Sequence, residues 1–223
     1  MKIGILQTGK SHESLLNKFG DYPDLFKSFL SSEDFVFETY AVLEMVFPKS
    51  PDECDGWLIT GSRHGVYEDH EWLDPLRKFI RILDKKKAPL VGICFGHQII
   101  AEALGGVVEK FQGGWSVGST KYKYKDRNVI LNAWHQDQVV VPPANAKTVL
   151  TSEFCKFAGL NYDDKIITLQ PHPEFNSDYI HGLIENRGKG IVPDDLLIAA
   201  KSKLNSSNDN ELFASKIMSF FAK

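Results

Sequence analysis

The sequence predicts an α/β protein whose mostly parallel central sheet carries helices on both faces. Residues 2–6, 57–60, 89–93 and 166–170 are short and apolar almost throughout, the mark of strands buried on both sides. Between the first three lie segments of helical period, and this alternation of strand and helix is what parallel pairing requires. The plan changes after Gly105. Strand-like segments then follow one another with little helix between them, which predicts hairpins forming a small antiparallel edge sheet. At 223 residues the chain is expected to be one domain, 1–223, with a helical appendage over about 180–223.

Lys2-Ile3-Gly4-Ile5-Leu6 reads as a first buried strand ending near Gly9. Residues 22–30 read as helix, and residues 35–42, rich in aromatic and β-branched side chains, as strand. Trp57-Leu58-Ile59-Thr60 is a strand stopped by Gly61. Trp72, Leu76, Phe79, Ile80 and Leu83 recur at helical spacing, with Pro75 tolerable in a first turn. Residues 89–93 make the next strand, and 97–104 a helix closed by Gly105. The short strand candidates are 107–109, 115–124, 128–131, 139–141, 147–151 and 156–160, before the buried strand at 166–170. From Ser177 the chain is helical again, interrupted at Pro193 and over 205–210. Asn208 followed by Glu211 suggests a capping box, and Leu212, Phe213, Ile217, Phe220 and Phe221 give the last helix its apolar face.

Charge and composition exclude several classes. A net charge of -3 argues against a polyanion-binding surface, so no nucleic-acid partner is expected. Lys85-Lys86-Lys87 fits the solvated end of a helix, and the alternation of Lys with Tyr over 121–127 fits an exposed strand. Three cysteines make no disulfide framework. The chain runs from Met1 straight into strand pattern, and no apolar run approaches the roughly 20 residues needed to span a bilayer. A cytoplasmic protein without membrane contact is expected.

The most informative segment is Gly92-Ile93-Cys94-Phe95-Gly96, placed between a buried strand and a helix. That is the setting of a nucleophile elbow, in which flanking glycines let neighbouring chains approach and the central residue is held up in strained geometry. The helix that starts behind it offers free N–H groups and a partial positive charge, both of which favour a thiolate. The competing reading is a structural cysteine at a glycine-flanked strand end, and it is the preferred one for Cys54 and Cys155, which lack such a setting.

His172-Pro173-Glu174 follows the last buried strand. Residues i and i+2 of an extended chain point to one side, so Glu174 can reach one imidazole nitrogen while the other faces a thiol. Pro171 and Pro173 stiffen the segment. Cys94 and His172 both lie just past the carboxyl ends of expected parallel strands, where sites of open α/β sheets form. An oxyanion would need two donors: the N–H of Phe95 and one from Thr60-Gly61-Ser62, with Gly61 the candidate. A metal site from His97, His135 and His172 is set aside because the spacing fits no zinc pattern. Neither a metal nor a cofactor is expected.

Taken together, Gly92-Ile93-Cys94-Phe95-Gly96-His97-Gln98, His172-Pro173-Glu174 and the upstream Thr60-Gly61-Ser62 resemble the class I glutamine amidotransferase family, over about residues 1–180. The resemblance implies a flavodoxin-like fold and a catalytic triad of Cys94, His172 and Glu174. It also implies a γ-glutamyl thioester on Cys94, formed with release of ammonia or amine and hydrolysed to glutamate. Ser62, Gln98, Trp115, Ser116 and His135 are implied substrate-binding residues. Pro171 before the histidine and the bulky Trp115 depart from the usual pattern and bear on substrate shape. Thr60–Glu68, Gly113-Gly114-Trp115 and the helical tail look closest to stand-alone members such as the γ-glutamyl peptidases.

Three functions are open at this point. The first is a free-standing hydrolase of a small γ-glutamyl substrate, glutamine or a γ-glutamyl peptide. The second is a glutaminase subunit passing ammonia to a separate synthetase. The third is a redox-sensing or non-catalytic protein of DJ-1-like architecture, against which the His-Pro-Glu triplet counts, because a sensor needs no oriented base.

Overall fold

The computed structural model describes residues 1–223. Apolar segments with no polar face can be satisfied only in the middle of a covered sheet, and that is where they lie. In chain order the strands are β1 (Lys2–Leu6), β2 (Val36–Tyr40), β3 (Gly56–Ile59), β4 (Leu90–Ile93), β5 (Val107–Glu109) and β6 (Ser116–Tyr124). They continue with β7 (Arg127–His135), β8 (Gln138–Val141), β9 (Ala146–Thr151), β10 (Gly159–Tyr162) and β11 (Ile166–Leu169). The α-helices are α1 (Glu13–Phe19), α2 (Tyr22–Phe29), α3 (Leu73–Lys86), α4 (Phe95–Ala103), α5 (Ser177–Leu183), α6 (Asp194–Ser202) and α7 (Asn210–Phe221).

Nine strands form one sheet in the order β2-β1-β3-β4-β11-β10-β9-β6-β7. Strands β2, β1, β3, β4 and β11 are parallel, and the antiparallel β10, β9, β6 and β7 prolong the same sheet. The hairpin candidates after Gly105 are therefore mostly this continuation, and the separate small antiparallel sheet is β5 with β8.

Alternation along the central strands builds two cores. Trp57 and Ile59 face α3 and α4, packing with Leu76, Ile80, Leu83, Ile99 and Ile100. Ile3, Ile5, Leu58 and Val91 face the other way, onto Phe26 of α2 and Phe213, Ile217, Phe220 and Phe221 of α7. Each such side chain contributes about 1.5–3 kcal/mol when fully buried. The tail from about residue 180 thus ends as a cover of the main sheet. A third cluster of Leu15, Tyr22, Trp134, Phe175, Tyr179 and Leu183 joins α1, α2 and α5 to β7. No helix is long and apolar enough to cross a membrane.

Three local expectations are corrected. The strand read at 156–160 begins only at Gly159, because Ser152 and Cys155 close a turn first: Ser152 N–H donates to the Cys155 carbonyl and Cys155 N–H to Ser152 Oγ. Helix α4 starts at Phe95, directly after Cys94, two residues before the expected start. The capping box at Asn208 and Glu211 does not form. Asp209 sits at the N-cap of α7, and its carboxylate instead accepts from Ile130 N–H at 2.7 Å. Asp209 N–H in turn donates to the Ile130 carbonyl at 2.8 Å. Strand β7 is the last in the sheet, so this clamp covers edge groups that no further strand meets.

Asp209→Ala is expected to lower stability by about 1–3 kcal/mol, the range for a hydrogen bond to a charged group with its partner left unsatisfied. Urea unfolding measures it, and Asp209→Asn, which keeps an acceptor, should lose less. Equal stability of Asp209→Ala and the parent would show the clamp to be energetically idle.

Candidate active site

Strand order determines which chain ends meet. Strand β4 pairs with β3 on one side and β11 on the other, with Ile59 opposite Gly92 and Leu169 opposite Ile93. The segments leaving β3, β4 and β11 therefore emerge side by side, and they carry Gly61, Cys94 and His172. Cys94 N–H donates to the Leu169 carbonyl at 2.7 Å, tying the bend to the neighbouring strand. Cys94 has φ 54° and ψ −103°, a conformation that costs an L-residue energy and persists only where the surroundings impose it. The surroundings here are the two glycines. A Cβ on Gly96 would stand 2.4 Å from the Ile59 carbonyl oxygen, and one on Gly92 2.6 Å from the Gly96 backbone. Only hydrogen at both positions lets α4 start this close to β3.

His172 is buried, and its Nδ1 lies 2.7 Å from Glu174 Oε1, so with Nδ1 protonated the ring donates to the carboxylate. The ring stacks on Phe175, with centroids 4.0 Å apart and planes 3° from parallel. Its backbone N–H donates to the Asn132 carbonyl of β7, and Asn132 Nδ2 donates to the Phe175 carbonyl. Ring plane, tautomer and backbone are thus each held by a different contact. Burial by itself disfavours the imidazolium, but Glu174 and then Cys94, through charge and a hydrogen bond, outweigh it and push His172 up to about 10. Glu174 Oε2 is buried without a hydrogen-bond partner, so Oε1 and the imidazolium carry the compensation for that carboxylate.

Sequence reasoning did not single out Gln170, whose Nε2 approaches Cys94 Sγ at 3.5 Å. The signal was present: Gln170 stands two residues before His172 as Glu174 stands two after, on one side of an extended chain. Gln98 Nε2 donates to Gln170 Oε1 at 3.0 Å and to the Asp137 carbonyl at 2.9 Å, so its amide nitrogen is committed to the frame. Thr8 was also missed. Its Oγ1 lies 2.9 Å from the Thr60 carbonyl and 3.1 Å from that of Gly61, fixing the peptide planes of that loop. The N–H groups of Gly61 and Phe95 meet no backbone acceptor. A Cβ on Gly61 would lie 3.0 Å from His172 Cε1 and 3.8 Å from Cys94 Cβ, which places the loop directly over the pair.

Cys94 and His172 open into a cavity of about 180 Å³, lined also by Ser62, Gln98, Trp115, His135 and Phe175. Ser116 is placed elsewhere. It is opposite His135 in the β6–β7 ladder and faces a neighbouring surface cleft with Thr120. His135 is buried and neutral, pushed down to about 3 by burial and then by the charge of His172. Its Nδ1 lies 3.3 Å from the Asp137 carbonyl. Positive charge reaches the cavity wall from Arg63, which the sequence marked only as part of the Thr60–Glu68 segment, and from Lys110 and Arg187, which it did not mark. The two carboxylates on the wall are already engaged, Glu68 by His64 and Asp137 by the Tyr67 hydroxyl.

Residues 40–188 match the family model described as glutamine amidotransferase class-I. Gamma-glutamyl peptidase 4 of Arabidopsis thaliana is 28% identical over 222 residues, covering 92% of this chain and 88% of its own. A glutamine amidotransferase-type protein of Saccharomyces cerevisiae is 33% identical over 215 residues, with 84% of each chain covered. The crystal structure of a glutamine amidotransferase from Methylobacillus flagellatus has a TM-score of 0.80 at 18% identity, covering 99% of this chain and 94% of that one. At that identity the likeness is one of fold.

The folded-state value of His172 lies above that of an unfolded histidine, near 6.5. The stability this contributes is complete below about pH 6.5 and is lost as pH rises toward about 10. Imidazole NMR should show His172 protonated well above pH 6.5, and Glu174→Gln should bring its midpoint down, because burial then acts with less opposition. An unchanged midpoint in Glu174→Gln would show that the carboxylate does not hold the charge.

Proposed function

The chain belongs to the class I glutamine amidotransferase family, and from that premise we propose that it hydrolyses a γ-glutamyl amide with Cys94 as nucleophile, His172 as acid and base, and Glu174 as its orienter. One observation carries this reading. A cysteine raised on a left-handed bend at a helix start faces an imidazole whose far nitrogen is 2.7 Å from a buried carboxylate. A structural cysteine needs no such partner.

In the proposed reaction the Cys94 thiolate adds to the γ-carbonyl carbon, and the oxyanion takes the N–H groups of Gly61 and Phe95. The imidazolium of His172 gives its proton to the leaving nitrogen, the C–N bond breaks, and a γ-glutamyl thioester remains. Water then adds, with His172 as base, the C–S bond breaks, and glutamate leaves. Donors fixed before reaction are the usual source of the largest gain, and removing one costs about 2.7–4 kcal/mol in comparable sites.

The cavity wall favours a leaving group larger than ammonia. Through Arg63, His64, Trp115, Trp134 and Arg187 it continues into an outer cleft that adds Lys10, Asn186 and Lys189. A γ-glutamyl peptide carries a carboxylate beyond the scissile bond, which suits Arg63 and Arg187 on the shared wall, Lys10 and Lys189 being already paired with Glu44 and Glu185. The similarity to a γ-glutamyl peptidase over nearly the whole chain supports the same substrate class. The three free cysteines suit a reducing compartment such as the cytoplasm.

Purified protein incubated with glutamine and with γ-glutamyl dipeptides should release glutamate faster from the peptides. Glutamine turnover that rises only with an added synthetase would instead assign an ammonia-donating subunit. Cys94→Ser should abolish turnover. His172→Ala should lower kcat/KM by roughly a thousandfold or more, and Glu174→Ala by roughly tenfold less than that. Full activity in Cys94→Ser, or equal losses in the other two variants, would contradict the assigned roles.

A further inference from the structure

One group of side chains converges at the rim without a part in this chemistry. His64, Glu68 and His70 lie in the segment between β3 and α3. His64 Nδ1 and His70 Nε2 approach the same oxygen, Glu68 Oε2, at 3.0 and 2.7 Å. The potential ligand atoms of all three lie within 4.8 Å of one another. Their side chains are 22%, 40% and 31% exposed, sheltered but open to an ion from solvent.

Hydrogen bonds within the chain hold the frame around them. Glu68 Oε1 accepts from Gly65 N–H at 2.9 Å, and Ser62 Oγ accepts from His64 N–H at 3.1 Å. The ring of the buried Trp72 stacks on His70, 5.7 Å away and 14° from parallel. Donors already placed are what a binding site must supply before the ion arrives.

We propose that His64 Nδ1, Glu68 Oε2 and His70 Nε2 form a site for a divalent cation of the zinc class, with a fourth position left open. Two imidazoles and one carboxylate suit Zn²⁺, Co²⁺ or Ni²⁺, whereas Mg²⁺ and Ca²⁺ take oxygen ligands. Ligands of a tetrahedral zinc ion at 2.0–2.1 Å stand about 3.3 Å apart, so the contacts at 3.0 and 2.7 Å open by about 0.3 and 0.6 Å while the two ring nitrogens, within 4.8 Å of each other, adjust to the same separation. Binding needs both ring nitrogens free of protons, so competition by protons weakens it as pH falls. His64 and Glu68 also line the Cys94 cavity, which puts the ion at its mouth.

The thiol of Cys94 can itself take such ions, so binding is measured in Cys94→Ala protein, by calorimetry with Zn²⁺ and by the visible absorption of added Co²⁺. One equivalent with the intense bands of tetrahedral Co²⁺ is expected. His70→Ala and Glu68→Gln should each weaken binding by roughly tenfold or more, and His181→Ala, whose half-exposed side chain lies outside both the cluster and the cavity lining, should not. Glu68→Gln preserves shape, and circular dichroism checks the fold of each variant. No saturable binding of either ion, or binding in His70→Ala and Glu68→Gln as tight as in the Cys94→Ala parent, would overturn the site and leave the three residues as a hydrogen-bonded brace of their loop.

Discussion

The pairing of β4 with β11 is the constraint on which the rest of the site depends. It sets Ile93 beside Leu169, and so sets the residues that follow them, Cys94 and His172, beside each other at one end of the sheet. A slip of one residue would turn every side chain of the strand to the opposite face and separate the pair. The hydrogen bond from Cys94 N–H to the Leu169 carbonyl continues the ladder into the bend itself. The strained residue is thus joined to the strand that delivers its partner. Glycine at 92 and 96 lets helix and strand close over this joint, because the space a side chain would need there is taken by backbone.

Around that joint the burial of charge is managed unevenly. Two imidazoles near the site, His97 and His135, are driven neutral, each to about 3, by burial and by a neighbouring histidine. Of these three buried imidazoles only His172 is driven the other way, because only it has a carboxylate at hydrogen-bond distance. A buried ion pair is weak evidence of stability, since desolvation offsets most of the attraction. Its value here is orientational. The pair fixes which nitrogen carries a proton, the Phe175 stack fixes the ring plane, and Asn132 anchors both residues to β7. An imidazole constrained in this way gives up little freedom when a reacting group arrives.

Much of this was legible in the residues because it depends on local pattern. Strands 57–60, 89–93 and 166–170 announce themselves by being apolar on both faces, and Gly92, Cys94 and Gly96 by spacing. The i, i+2 relation of His172 and Glu174 follows from extended geometry alone. Helix α1 escaped because Leu15 is its only buried residue, which leaves no apolar stripe to read. The capping pair at Asn208 and Glu211 misled because a tertiary contact, Asp209 to Ile130, takes priority at that helix start. Ser116 was carried over by resemblance, and whether a strand residue faces the cavity or the next cleft depends on a register that one chain cannot reveal. Lys110 and Arg187 had no signal at all, because solvated cations and pocket cations look alike until loops are folded together.

The contrast between legible and illegible residues follows a division in the molecule. The floor of the site comes from the ends of adjacent strands, where backbone hydrogen bonds and glycine contacts leave no room for drift. The rim comes from loops of distant sequence origin: the segment after β3, the approach to β6, the β7–β8 turn and the residues after α5. Loop positions tolerate substitution far better than sheet positions do. A fold built this way can keep one bond-breaking arrangement while changing what is admitted to it. The arginines of the wall, Arg63 and Arg187, and the His64–Glu68–His70 cluster beside them, both belong to that changeable part. In the proposed reaction, substrate choice is accordingly to be sought among the charges of the rim, and the chemistry in the strand ends beneath it.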